Sequence, residues 1–315
     1  MSVYSVKLKL LGEMSQLPDS QRLFGALVYL LAEHNGEEEA RRFLKAVQRK
    51  EIAFNLSGVL PDGYLPVPKS YLEHAVAEND KNERDIYKQL KEMDFVPAKK
   101  LPKLVKSFTS IVDSVSYISL VSDQQVHVNQ LSDIVDSEEP DEGNEPFSVQ
   151  RIVFMDQSGE PIQLRDFEFY LACEDDCVIK TLLESVSHHL FSLGKRASQG
   201  YNLFEFSKKP LTCSINQTST NGVYLNLGML LPDYGGIEFK DESSFLEIFT
   251  SQRRPYSIQG RGYFISFIAP GSMIVTSDPI KAGKCVESMF EKDKGAIVYG
   301  RSFLYPFGGE QNWAD

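Results

Sequence analysis

Tyr4, Val6, Leu8 and Leu10 alternate with Ser5, Lys7 and Lys9 near the start of the chain, and Phe167, Phe169 and Leu171 alternate again far downstream. A helical stripe follows each: Leu23, Phe24, Leu27, Val28, Leu30 and Leu31 after the first, and Val178, Ile179, Leu182, Leu183, Val186 and Leu190 after the second. A period of two turning into a period of 3.6 marks a half-buried strand running into a core helix. Asp19 or Ser20 is positioned to cap the first helix. The second is expected from about Asp176 to Leu193, stopped by Gly194, with a new strand over Tyr201 to Phe206. Strand, helix, excursion, strand, helix, strand predicts an antiparallel sheet covered on one face by two helices, the split βαβ or ferredoxin-like (RRM-like) arrangement.

The excursion falls within about residues 55–160. Proline at alternate positions makes Tyr64-Leu65-Pro66-Val67-Pro68 extended. A charged, helix-permissive stretch then leads to Lys99, Lys100, Lys103 and Lys106. β-prone pieces over Ile111 to Val121 and Val149 to Phe154 flank an acidic run, which reads as the mobile tip of a projecting hairpin. Past Pro210 the polar run Asn216 to Asn221 resembles a linker. Strands are expected near Val223 to Leu231, Arg261 to Ile268 and Ala296 to Tyr305, with a helix from Asp241 to Thr250. The expected fold is therefore α+β, with two ferredoxin-like domains over residues 1–210 and 211–315, the first carrying the hairpin insertion.

Composition excludes several classes. At 315 residues and 42% hydrophobic the chain can bury two domain cores. No apolar run is long enough to cross a membrane, and MSVYSVKLKLLGE lacks the order of a signal peptide, so a cytoplasmic protein is expected. Cys173, Cys177, Cys213 and Cys285 are scattered, as reduced buried thiols would be. The net charge of -11 opposes a surface that coats nucleic acid throughout. But Asp133, Asp136, Glu138, Glu139, Asp141, Glu142 and Glu145 hold much of it in one segment, so a basic groove can exist elsewhere.

Catalytic and metal signatures are missing from the sequence. Cys173-Glu174-Asp175-Asp176-Cys177 has the wrong spacing for zinc and reads as a strand-to-helix junction with an acidic cap. His188-His189 lacks the H-E-x-x-H pattern, and Lys281-Ala282-Gly283-Lys284 lacks the first glycine of a phosphate loop. Neither a metal nor a cofactor is expected. The informative segment is Leu193-Gly194-Lys195-Arg196-Ala197-Ser198-Gln199-Gly200-Tyr201. Glycine permits close backbone approach to phosphates, Lys and Arg supply charge, and Tyr201 offers a stacking face. The same residues would also suit a helix end, with glycine at C′ and cations at the negative pole.

Gly194, Lys195, Arg196, Ser198, Gly200 and Phe204 match a loop of the form G-[GK]-[KR]-x-S-x-G-x-x-x-F, and the chain there resembles the RAMP superfamily, in particular the fourth Csm subunits of type III-A CRISPR effectors. Ser20-Gln21-Arg22-Leu23-Phe24-Gly25-Ala26-Leu27 is similar to the family's first-helix signature. Leu65-Pro66-Val67-Pro68, Gly271-Ser272 and Val298-Tyr299-Gly300-Arg301-Ser302-Phe303 resemble later segments in the same order. Two departures stand out: Asn202 replaces a glycine of the family loop, and Leu193 precedes Gly194 where a double glycine is common.

The resemblance implies a non-catalytic scaffold that grips the 5′ handle of the guide RNA. It docks the large Cas subunit, adjoins a RAMP backbone subunit and meets target RNA through the complex. The RNA-binding residues implied are Gly194, Lys195, Arg196, Ser198, Gln199, Gly200, Tyr201, Ser20, Arg22 and Arg151, with the region from about Ser107 to Arg151 projecting. One rival is a metal-independent guide-precursor endoribonuclease of the same superfamily using His34. Another is a structural subunit that touches no RNA.

Overall fold

The computed structural model describes residues 2–77, 83–127, 147–187, 189–194, 197–206, 211–212, 219, 221–234, 244–253, 263–288 and 296–307. Strand β1 (Ser2–Leu10) leads into helix α1 (Ser20–Asn35), and the Asp19 carboxylate accepts hydrogen bonds from the Gln21 and Arg22 amides at 3.0 and 2.9 Å. Gly36 ends that helix with φ +90, its amide donating to Ala32. Helix α2 (Glu37–Gln48) opens with Glu37, Glu38 and Glu39, where carboxylates favourably meet the positive pole. Then come β2 (Phe54–Leu56), β3 (Leu60–Pro61), β4 (Tyr64–Pro66), α3 (Lys69–Ala77), α4 (Glu83–Glu92), β5 (Phe95–Pro97) and α5 (Leu101–Ile111). The next strands, β6 (Ser119–His127) and β7 (Phe147–Met155), form a long antiparallel pair extended by β8 (Pro161–Ile162). The stretch after Ile111, expected to be extended, forms a 3₁₀ turn over Val112–Ser114 and becomes strand only at Ser119. The acidic run at 133–145 lies outside the described residues.

Strand β9 (Asp166–Cys173) and helix α6 (Asp176–Val186) follow, joined by Asp175, which caps α6 by accepting from the Cys177 and Val178 amides. The expected helix to Leu193 is wrong. Ser187 turns to an extended backbone, and β10 (Leu190–Ser192) pairs with β11 (Leu203–Phe206). Phe191 then stacks on Phe206 at 4.4 Å, a cross-strand contact that a continued helix would forgo. The main sheet has the order β10-β11-β1-β9-β2, with β12 (Leu211–Thr212) also pairing β1.

One face of this sheet carries Val6, Leu8, Leu10, Phe167, Phe169 and Leu171 in a core shared with Leu23, Leu27, Leu31, Ile179 and Leu182 of the two helices. The opposite face is covered over part of its length: Lys9 is exposed and Lys7 partly so, but Ser5 and Glu168 are buried. Ser5 is 2% exposed and donates to Glu168 at 2.6 Å. That carboxylate also accepts from Lys7, Tyr170 and the Gly63 amide at 2.6, 3.0 and 3.0 Å. Four donors compensate a carboxylate that burial would otherwise disfavour.

The cover for this face comes from the second half: Tyr170 stacks on Phe303 at 5.5 Å and meets Tyr305 edge-on at 6.3 Å. That half contains β13 (Val223–Asn226), β14 (Ile248–Arg253), β15 (Tyr263–Ile268), β16 (Met273–Val275), β17 (Val286–Glu287), β18 (Ile297–Val298) and β19 (Leu304–Phe307). Strands β16, β13 and β19 form one sheet, β14 and β15 a ribbon, and β17 and β18 a pair. The helix expected from Asp241 to Thr250 is corrected over its described part: Phe245 bridges Met273, and Ile248 opens β14. Residues 241–243 lie outside the described residues. The strand expected over Ala296 to Tyr305 is broken between β18 and β19, where Leu56 bridges Ser302 and ties the halves together. The main apolar core runs from β1 and α1 through Leu225, Met273, Tyr299 and Phe303, and a smaller second cluster in the second half gathers Tyr224, Leu230, Ile268, Ile274, Ala282 and Leu304.

Candidate nucleic-acid interface

Leaving β1, the chain passes directly under the glycine loop. The Leu11 amide donates to Leu203 at 2.9 Å and the Asn202 amide to Glu13 at 2.7 Å. Between these bonds Gly12 lies so close that a Cβ on it would sit 2.3 Å from the Gly200 carbonyl oxygen. Only glycine fits that approach. At the other end of the loop, a Cβ on Gly194 would fall 2.8 Å from Asn202 Nδ2 and 2.9 Å from Gln16 Nε2. Gly194 is therefore required by two amide side chains packed on its α-carbon, and the helix-end explanation falls away because β10, not a helix, precedes the loop.

Asn202 is fully buried at φ +54, a left-handed conformation that asparagine tolerates better than other residues with a side chain. Its Oδ1 accepts from the Ser15 amide at 3.0 Å and its Nδ2 donates to Ser15 Oγ at 2.8 Å. Asparagine at this position thus keeps a backbone that glycine would adopt and adds a side-chain anchor. Ala197, Ser198 and Gln199 form a 3₁₀ turn, exposed together with Gly200.

Tyr201 does not present a stacking face. It is 5% exposed, and its hydroxyl donates to Gln125 Oε1 at 3.3 Å, fastening the loop to β6. Arg151 on β7 stands in the same neighbourhood, with Nε donating to Asp123 at 2.8 Å and Nη1 to Glu13 at 3.1 Å. The Asp123 hydrogen bond, helped by Glu13, holds its pKa above the usual guanidinium value. Its charge is thereby largely committed within the protein. Arg165, Gly12 and Asn202 also belong to this site; Gly12 and Arg165 cannot be singled out in the sequence, because isolated glycines and arginines carry no spacing signal.

Other expected residues fall elsewhere. Lys195 and Arg196 lie outside the described residues. Ser20 is fully buried and accepts from the Met229 amide at 2.9 Å, so it stitches α1 to the second half and is closed to RNA. Arg22 pairs with Asp19 at 2.5 Å beside a separate cleft lined by Met229, Phe249 and Phe267. His34 is exposed in the last turn of α1. Cys173 is buried as expected, whereas the Cys177 thiol is exposed. Among the described residues no His, Cys, Asp and Glu group of metal-binding size occurs, and no helix is long and apolar enough to cross a membrane.

The architecture is that of a mixed α/β protein in which several antiparallel sheets pack around one main core and a smaller second cluster. The chain matches no protein-family model and no curated protein in sequence. In fold it is similar to a chain of the Csm1-Csm4 cassette in complex with AMPPNP, with a TM-score of 0.58 and 16% identity over 99% of this chain and 100% of that one. It is similar also to a chain of the Csm3-Csm4 subcomplex in the type III-A CRISPR-Cas interference complex, with a TM-score of 0.55 and 14% identity over 98% and 100%. At this identity the likeness establishes a shared fold along the full length of both chains.

Proposed function

We propose that this chain is a non-catalytic, RNA-binding scaffold subunit of a type III-A CRISPR interference complex, working in the cytoplasm without a cofactor. It holds the 5′ handle of the guide RNA, docks the large Cas subunit, adjoins a RAMP backbone subunit and meets target RNA through the complex. The end-to-end fold likeness to chains of Csm1-Csm4 and Csm3-Csm4 assemblies supports the setting. The strand order β11-β1-β9-β2 supports a ferredoxin-like first half, residues 1–210, and the β6–β7 pair supports its projecting hairpin. The second half, 211–315, is taken as its strand-rich counterpart.

The observation that carries RNA binding is the exposed turn at Ala197–Gln199, held between Gly194 and Gly200 and seated on the Gly12 segment. The Ala197–Gln199 turn offers backbone amides to phosphates, and Lys195 and Arg196, next to it in sequence, supply the positive charge. Replacing Lys195 and Arg196 together by Ala is expected to weaken binding of repeat-derived single-stranded RNA. The slope of log affinity against log salt should flatten by about 1.4 units, roughly 0.7 for each phosphate that is no longer neutralised. Since no helix ends at this loop, the melting temperature should stay unchanged. Unaltered affinity and slope would refute the assignment, and copurification of a large Cas protein with a short RNA of uniform 5′ end tests the setting.

A further inference from the structure

Residues 11–16, between β1 and α1, form neither helix nor strand, yet they are held from two sides. On one side lies the glycine loop: the Asn202 amide donates to the Glu13 carbonyl at 2.7 Å, the Ser15 amide donates to Asn202 Oδ1 at 3.0 Å, and Gly12 abuts Gly200. On the other lies β7, whose Ile152 amide donates to the Met14 carbonyl at 2.7 Å while Arg151 Nη1 donates to the Glu13 carboxylate at 3.1 Å. Glu13 is therefore gripped twice, through its carbonyl by the loop and through its carboxylate by β7. Arg151 also reaches across the strand pair, its Nε donating to Asp123 of β6 at 2.8 Å, and the Tyr201 hydroxyl donates to Gln125 of β6 at 3.3 Å. Met14, Val149, Tyr201 and Asn202, each at most 5% exposed, fill the space between.

We propose that Arg151 is a positioning residue that braces the β6–β7 pair against residues 11–16 and so sets the direction of the pair relative to the exposed turn at Ala197–Gln199. Arginine suits this place because its planar fork holds two carboxylates on different segments in fixed directions, one from Nε and one from Nη1, whereas a lysine ammonium fixes no direction. Its side chain is one-third exposed, so the two ion pairs contribute orientation more than stability. The consequence is mechanical. A ligand on the exposed turn and a body met by the far end of the strand pair are presented at one set separation, and the loop cannot shift without carrying the strands. The brace belongs to the free chain and stands whether or not the turn binds RNA.

Residue-resolved amide hydrogen exchange on the full chain tests this, in wild type, Arg151→Ala, Glu13→Gln and the double variant, with melting temperatures to verify folding. The Asn202 amide lies on the loop, on the far side of Glu13 from Arg151. Its exchange should nevertheless quicken roughly 2- to 5-fold in each single variant, the worth of one partly exposed ion pair. The double variant should exchange at Asn202 no faster than Arg151→Ala does, because both changes cut the same tie. The Tyr170 amide of β9, which donates to Ser57 Oγ, should exchange as in wild type. Faster exchange confined to β6 and β7, or additive effects of the two changes at Asn202, would overturn the brace. Equal acceleration at Tyr170 would overturn it too, by reporting a loosening of the whole fold. Weaker binding of repeat-derived RNA by Arg151→Ala, with exchange at Asn202 unchanged, would instead assign the side chain to RNA contact.

Discussion

A left-handed backbone is costly for most side chains, and Asn202 carries one at the foot of the exposed loop. Two terms can be separated by substitution. Asn202→Gly keeps the conformation but leaves the part-buried Ser15 amide without its acceptor, a loss of about 1 kcal/mol. Asn202→Ala loses the same bond and adds about 1 kcal/mol of backbone strain. Denaturant unfolding should therefore rank wild type above Gly and Gly above Ala; equal stability of the two variants would mean that the side-chain bonds alone fix this turn. In sequence Asn202 was visible only as a departure from a glycine pattern. Its positive φ explains why asparagine could take that place, and the partner that anchors it, Ser15, is remote in the chain and carries no local signal.

Strand β9 is buried along nearly its whole length, on both faces of the sheet, and this governs how its ionisable groups respond to pH. Desolvation pushes the Cys173 thiol up to about 11 from its ordinary 9.0. Between those values the unfolded chain gives up a proton that the folded chain keeps, so stability is full below pH 9 and falls as pH rises toward 11. Two units correspond to about 2.7 kcal/mol. Urea midpoints at pH 8 and pH 11 should differ less in Cys173→Ala than in wild type; an identical difference would assign the alkaline loss elsewhere, to Tyr299 or Lys7, whose pKa values also lie above their ordinary ones. The same double burial marks the limit of pattern reading at this scale. Alternation placed β1 and β9 correctly, but Ser5 and Lys7 looked solvent-facing because their partner, Glu168, lies far along the chain. Likewise Leu190 continued a helical stripe while its backbone pairs Glu205, and Phe245 and Ile248 looked helical until paired with Met273 and Ile268. Pairing energy between distant segments overrode local periodicity in each case.

For the molecule as a whole, topology suggests two halves while packing joins them, and Arg301 sits where they join. The side chain is 2% exposed, with Nη1 donating to Ile52 at 2.8 Å and Val47 at 3.5 Å near the end of α2, and Nη2 donating to Ile280 at 3.4 Å in the second half. Its charge meets carbonyl oxygens, including one at the negative pole of α2, which favours a cation. Around it, Tyr299 stacks on Phe24 at 4.1 Å and donates to the Phe54 carbonyl at 2.9 Å. Arg301→Ala removes a large buried side chain and orphans those carbonyls, which should cost ~2–4 kcal/mol; Arg301→Met, which fills the space, should lose less. Since the aromatic contacts persist, calorimetry should show one transition in wild type and one, at lower temperature, in Arg301→Ala. Two transitions in wild type would show that residues 1–210 and 211–315 unfold independently and that the shared core contributes little to cooperativity. One transition in wild type that splits only on loss of Arg301 would instead assign the coupling to this side chain rather than to the aromatic stack.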